Sequence, residues 1–83
     1  MRLPRDLSGG EVARRLGRHY GDRTRRTRGS HMTVAAETPG GTRHSVTVPT
    51  HRSVSIGTLD AIVGDVAEAF GLEKAEVRET LFG

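Results

Sequence analysis

His31-Met32-Thr33-Val34-Ala35-Ala36, then Pro39-Gly40-Gly41-Thr42, then His44-Ser45-Val46-Thr47-Val48-Pro49, is the stretch whose pattern decides the fold. Residues 31–36 and 44–48 alternate with period two, so each is predicted to be a strand with one face in the core. Met32, Val34 and Ala36 share one face, His31, Thr33 and Ala35 the other, and Val46 and Val48 point inward from the second strand. Pro39 to Thr42 is a turn with glycine available for positive φ, and Pro49 ends the second strand. The two strands form a hairpin, and His31 falls on its open face.

Working outward toward the N-terminus, residues 22–28 carry Arg23, Arg25, Arg26 and Arg28 and have no apolar face. They are predicted to be an edge-prone strand that adds to the hairpin. Ahead of them, Ser8-Gly9-Gly10-Glu11 has capping-box spacing, with Leu7 and Val12 at the hydrophobic-staple positions. Val12, Ala13, Leu16 and Tyr20 then make one apolar stripe, leaving Arg14, Arg15 and Arg18 on the wet side of a helix over about 9–19. Met1 to Asp6 is an extended lead-in, since Pro4 disfavours helix.

Toward the C-terminus, residues 50–55 are a loop. Leu59, Ile62, Val63, Val66 and Phe70 follow at helical spacing, with Asp60 suited to the helix dipole and Gly71 as the C-terminal stop. A last short helix, about 73–81, presents Val77 and Leu81 with Leu72 at its base. The order reads α-β-β-β-α plus a short C-terminal helix, an α+β fold in one domain spanning 1–83.

Tyr20, Phe70 and Phe82 are the only aromatic residues, so the core must be built mainly from aliphatic side chains. The absence of cysteine excludes disulfides, thiolate zinc sites and a cysteine nucleophile, and fits a reducing cytoplasm. No apolar run approaches the ~20 residues that cross a bilayer, and the N-terminus lacks the apolar core of a signal peptide, so no membrane partner and a cytoplasmic location are expected. Charge is split unevenly. Residues 1–31 hold nine arginines against three acids, a net of +6, whereas residues 32–83 hold four basic residues against seven acids, a net of −3. Twelve of the thirteen basic residues are arginine, whose planar fork suits phosphate and stacks on bases, so one side of the molecule should face a polyanion.

Arg23, Arg25, Arg26 and Arg28 run through Gly29-Ser30 into His31. Fixed positive charge for phosphates and an imidazole that exchanges a proton near neutral pH together suggest an RNA-cleaving site. The plainer alternative is a solvated basic strand beside an idle surface histidine. His51 is either a second acid or phosphate donor, or a loop-capping side chain, whereas His19 and His44 read as surface residues. A metal set of His31, His44 and His51 matches no familiar ligand spacing, and neither a metal nor a cofactor is implied.

These pieces resemble the HicA family, the YcfA-like mRNA interferase toxins of bacterial type II toxin–antitoxin pairs. The likeness is carried by Ser8-Gly9-Gly10-Glu11-Val12 with Leu16, by Gly29-Ser30-His31, by Val46-Thr47-Val48-Pro49 with His51, and by Ile56-Gly57-Thr58-Leu59 opening the long helix. They stand in the family's order, at similar spacing, over nearly the whole chain. One departure is His19-Tyr20, where the family usually shows glycine and an aromatic residue, although Tyr20 can fill the aromatic place.

The resemblance implies a double-stranded-RNA-binding-domain-like fold, ribonuclease activity on mRNA, a catalytic role for His31, and neutralisation by a HicB-type antitoxin. Gly29, Ser30 and His51 then join the four arginines as candidate RNA contacts. Without a metal, the expected route is attack of a 2′-hydroxyl on its neighbouring phosphate, with His31 as base or acid and Tyr20, His51 or water as its partner. Two rival functions share these residues: a non-catalytic RNA-binding module on the same fold, and a chain that binds an acidic protein through its basic face.

Overall fold

The computed structural model describes residues 3–83. Ser8 opens the first helix, α1 (Gly9–Tyr20), its hydroxyl accepting from the Glu11 N–H at 3.1 Å. Only half of the expected capping box forms. The Glu11 carboxylate turns instead to Arg14 at 2.7 Å and Arg15 at 3.0 Å, because charge-assisted pairs outweigh one bond to a backbone N–H. Hydrogen bonding to Arg14 first, and to Arg15, holds the Glu11 carboxyl pKa down at about 2. Arg15 also donates to the Leu81 carbonyl at 3.0 Å and lies over the Phe82 ring, so these helix arginines are committed to the fold.

Three strands follow: β1 (Arg23–Arg28), β2 (His31–Glu37) and β3 (Arg43–Pro49), antiparallel in the order β1-β2-β3. Val34 pairs with Val46 and Met32 with Val48, the register that the valine alternation demands. Two helices complete the chain, α2 (Ile56–Phe70) and α3 (Lys74–Phe82). Ser55 caps α2 by accepting from the Thr58 N–H at 3.2 Å. Asp60 lies in the second turn, not the first, so it does not serve the helix dipole. It pairs with Lys74 at 3.1 Å and Arg78 at 3.8 Å and thereby fastens α3 to α2.

The helices pack on the sheet face that carries Val34, Val46 and Val48, joined there by Val12, Leu16, Leu59, Val63, Val66, Val77 and Leu81. Tyr20 meets Phe70 with ring centroids 5.2 Å apart, closing one end of this layer. The other end is sealed by backbone. The Gly9 N–H donates to the His51 carbonyl at 2.9 Å, and the Val54 N–H donates to the Leu7 carbonyl at 2.8 Å. A Cβ at Gly9 would overlap the Pro49 carbonyl, so only glycine lets the start of α1 lie against the exit of β3. β1 stands outside the helical cover: all six of its residues are exposed, as an edge strand without apolar alternation must be. The observed layout is thus the expected α-β-β-β-α with an added C-terminal helix. Among the described residues no helix is long and apolar enough to cross a membrane.

Candidate functional site

Arg28 and His31 face each other across a two-residue loop, Gly29-Ser30. Gly29 has φ 57 and Ser30 does not share a positive φ, which is the pattern of a tight hairpin with glycine at its first turn position. The turn is held from the far side by the Thr50 N–H, which donates to the Ser30 carbonyl at 2.8 Å. His31 pairs with Pro49 on β3 and remains exposed. The Ser30 hydroxyl stands 3.5 Å from His31 Nδ1, the long limit of a hydrogen bond, and Nε2 has no protein partner among the described residues. His31 therefore presents a free imidazole edge on a rigid hairpin.

The arginines reach the same face through an irregularity. Strict alternation back from Arg28 would send Arg23 and Arg25 to the helix side and Thr24 to the open side. The register runs otherwise. Arg26 faces Thr33, but Thr24 faces Val34 and Arg23 faces Ala35, so Arg25 is an extra residue in a β-bulge. The bulge returns Arg23 to the open face beside Arg26 and Arg28. No carboxylate lies within 4.0 Å of Arg23, Arg25, Arg26, Arg28 or Arg43 among the described residues. A bulged, charged edge also discourages strand addition. Charges on either face would serve that end, whereas here the bulge puts Arg23, Arg26 and Arg28 on one.

The remaining expected participants divide. His51 is exposed at the His31 end, two residues beyond Pro49. Tyr20 is at the opposite end, packed on Phe70, and cannot be the proton partner of His31. His44 is not a surface residue: it pairs with Ala36, alternates onto the helix side of β3 and is half-buried. His31 and His44 therefore lie on opposite faces of the sheet and cannot converge on one ion with His51. Ala35 is only 2 % exposed although it belongs to the open face, because a short side chain on the central strand is overshadowed by its longer neighbours.

Two residues carry no signal that period or motif reading picks up, one behind the sheet and one on the open face. Asp22 is buried with Oδ1 unpartnered among the described residues, and His44 is near enough to act on its charge. Burial pushes its pKa up to about 6, and His44 opposes this only in part. Between pH 3.8 and about 6 the folded chain thus holds a proton on Asp22 that the unfolded chain has already released. This contribution to stability is fully present below pH 3.8 and is lost as the pH rises through about 6. Asp22→Asn is expected to stabilise the protein at pH 7.5 by about 1–2 kcal/mol and to do little at pH 4, measured by thermal unfolding at both values. Arg43, the second residue, falls between the expected turn at 39–42 and the expected strand at 44–48, and it begins β3 opposite Glu37 on the open face.

No protein-family model, curated protein or solved structure matches this chain. The residues themselves carry the functional argument.

Proposed function

We propose that this chain is a metal-independent endoribonuclease that cleaves mRNA, the HicA-like toxin of a type II toxin–antitoxin pair, built on a double-stranded-RNA-binding-domain-like fold. The observation that carries the reading is an exposed His31 on the hairpin, with Arg28 opposite it in register and a run of unpaired arginines leading away from it. The α-β-β-β-α order with helices on one side supports the fold assignment. In the reaction His31 takes the proton of a 2′-hydroxyl as its oxygen bonds to the adjacent phosphorus. Arg28 and Arg26 offset the charge that builds on the phosphoryl oxygens. The bond from phosphorus to the 5′-oxygen then breaks, and that oxygen takes a proton from water or from His51. Arg23 and Arg25 hold backbone phosphates, which supplies affinity without sequence choice. A HicB-type antitoxin would act in the cytoplasm by covering this cationic face.

The experiment uses purified protein and a labelled single-stranded RNA in a buffer containing EDTA. Cleavage should persist in EDTA, and log affinity should fall with log salt at a slope of roughly −3 if four phosphates are neutralised. A flat salt response would remove the arginines from the reading. Loss of cleavage in EDTA with rescue by a divalent ion would remove the proposed chemistry.

A further inference from the structure

At the end of the open face away from His31, a cleft of about 370 Å³ is lined by Arg23, Arg25, Ala35, Glu37 and Arg43. Ala35 is its small apolar floor, and the arginines stand around it with no ion pair. Glu37 is the telling residue. A groove that held only phosphate would gain nothing from a carboxylate, which repels the strand it should attract. Glu37 is directly opposite Arg43 in the β2–β3 register, yet no ion pair within 4.0 Å joins them among the described residues. An acceptor fork and a donor fork therefore both stay open to a ligand.

That combination is the complement of a nucleobase. A carboxylate accepts from two parallel N–H groups, and a guanidinium donates to two neighbouring acceptors. Guanine is the base that offers both pairs, N1–H with its exocyclic amino group on one edge and O6 with N7 on the other. A third guanidinium plane can stack on the ring, as arginine does on splayed RNA bases. Ala35 lies four residues along β2 from His31, about 13 Å, which an RNA strand spans with roughly two to four nucleotides according to how far it is stretched. Arg26, opposite Thr33, lies between the two and can hold an intervening phosphate.

We propose that this cleft is a base-reading subsite for a guanine nucleotide on the same strand whose phosphate reaches His31. The proposal rests on the ribonuclease reading for its ligand and adds a sequence preference to it. The test is fluorescence anisotropy with labelled hexanucleotides on the His31→Ala protein, so that no RNA is consumed. One probe is all uridine, and the others carry a single guanosine at successive positions. At least one guanosine register should bind about tenfold tighter than the all-uridine probe. Glu37→Ala should abolish that preference even though it makes the face more positive. Arg14→Ala with Arg18→Ala, which removes charge from the helix side, should leave it intact. Equal binding of all probes by the protein with Glu37 intact, or a Glu37→Ala protein that keeps the guanosine preference, overturns the subsite while the ribonuclease reading stands. Failure to bind any probe at low salt overturns both.

Discussion

His31→Ala is expected to slow RNA cleavage by about 10²–10⁴-fold, the usual contribution of one positioned acid–base group. The thermal transition should be unchanged, because the imidazole is exposed and its side-chain hydrogen bonding among the described residues is limited to the Ser30 hydroxyl at 3.5 Å. Affinity for RNA should survive, since the arginines opposite Thr33 and Ala35 do not depend on the histidine. Loss of rate with retained binding is the signature of a group that acts on the reacting atoms. In cells without an antitoxin, growth arrest and RNA degradation should follow expression of the wild type alone. Cleavage retained by the variant in vitro would take His31 out of the mechanism, whatever the cellular outcome.

The second large effect concerns stability, and it separates two adjacent glycines. Gly9→Ala places a methyl group inside the Pro49 carbonyl, and neither partner can yield cheaply. The Gly9 N–H is bonded to the His51 carbonyl, and Pro49 is paired with His31. A loss of about 3 kcal/mol is expected, with a fall in Tm of roughly 10–20 °C for a domain of this size. Gly10→Ala meets nothing closer than the Ser8 hydroxyl at 4.0 Å and should be neutral or slightly stabilising, as alanine favours helix. Thermal melts of the two variants provide the measurement. Equal behaviour would contradict the close approach of α1 to the β3 exit. Because Pro49 and Thr50 brace the hairpin turn, Gly9→Ala should also loosen the site from behind.

Most of the fold could be read from periodicity. The valines of β2 and β3 and Leu59, Ile62, Val63 and Val66 of α2 are buried by their own patterns, with Phe70 partly buried at the end of that stripe, so burial and spacing agree. β1 was legible only as an edge, since six exposed residues have no preferred face and their register is decided by β2. His44 reads as a surface residue because it shares a strand with exposed neighbours, yet period two puts it on the side of Val46 and Val48. Tyr20 was eligible as a catalytic partner until Phe70, fifty positions later, claimed its ring. Asp22 could not be recognised as buried, because neither chain neighbour is an apolar side chain; Gly21 and Arg23 are both exposed. In the candidate site, His31 and the arginines are adjacent in the chain, so their nearness is legible in the sequence. Glu37 and Arg43 meet only across the hairpin, and no local motif joins them.

The irregularity at Arg25 has a wider meaning. Side-chain placement along an edge strand depends on how many residues precede a given point, and a single insertion reverses everything upstream of it. A relative with the same number of arginines but a perfectly regular first strand would turn its Arg23 counterpart toward the helices and show the solvent a threonine instead. Two such chains would be indistinguishable by composition, isoelectric point or total charge, and would still differ in which polyanions they could grip.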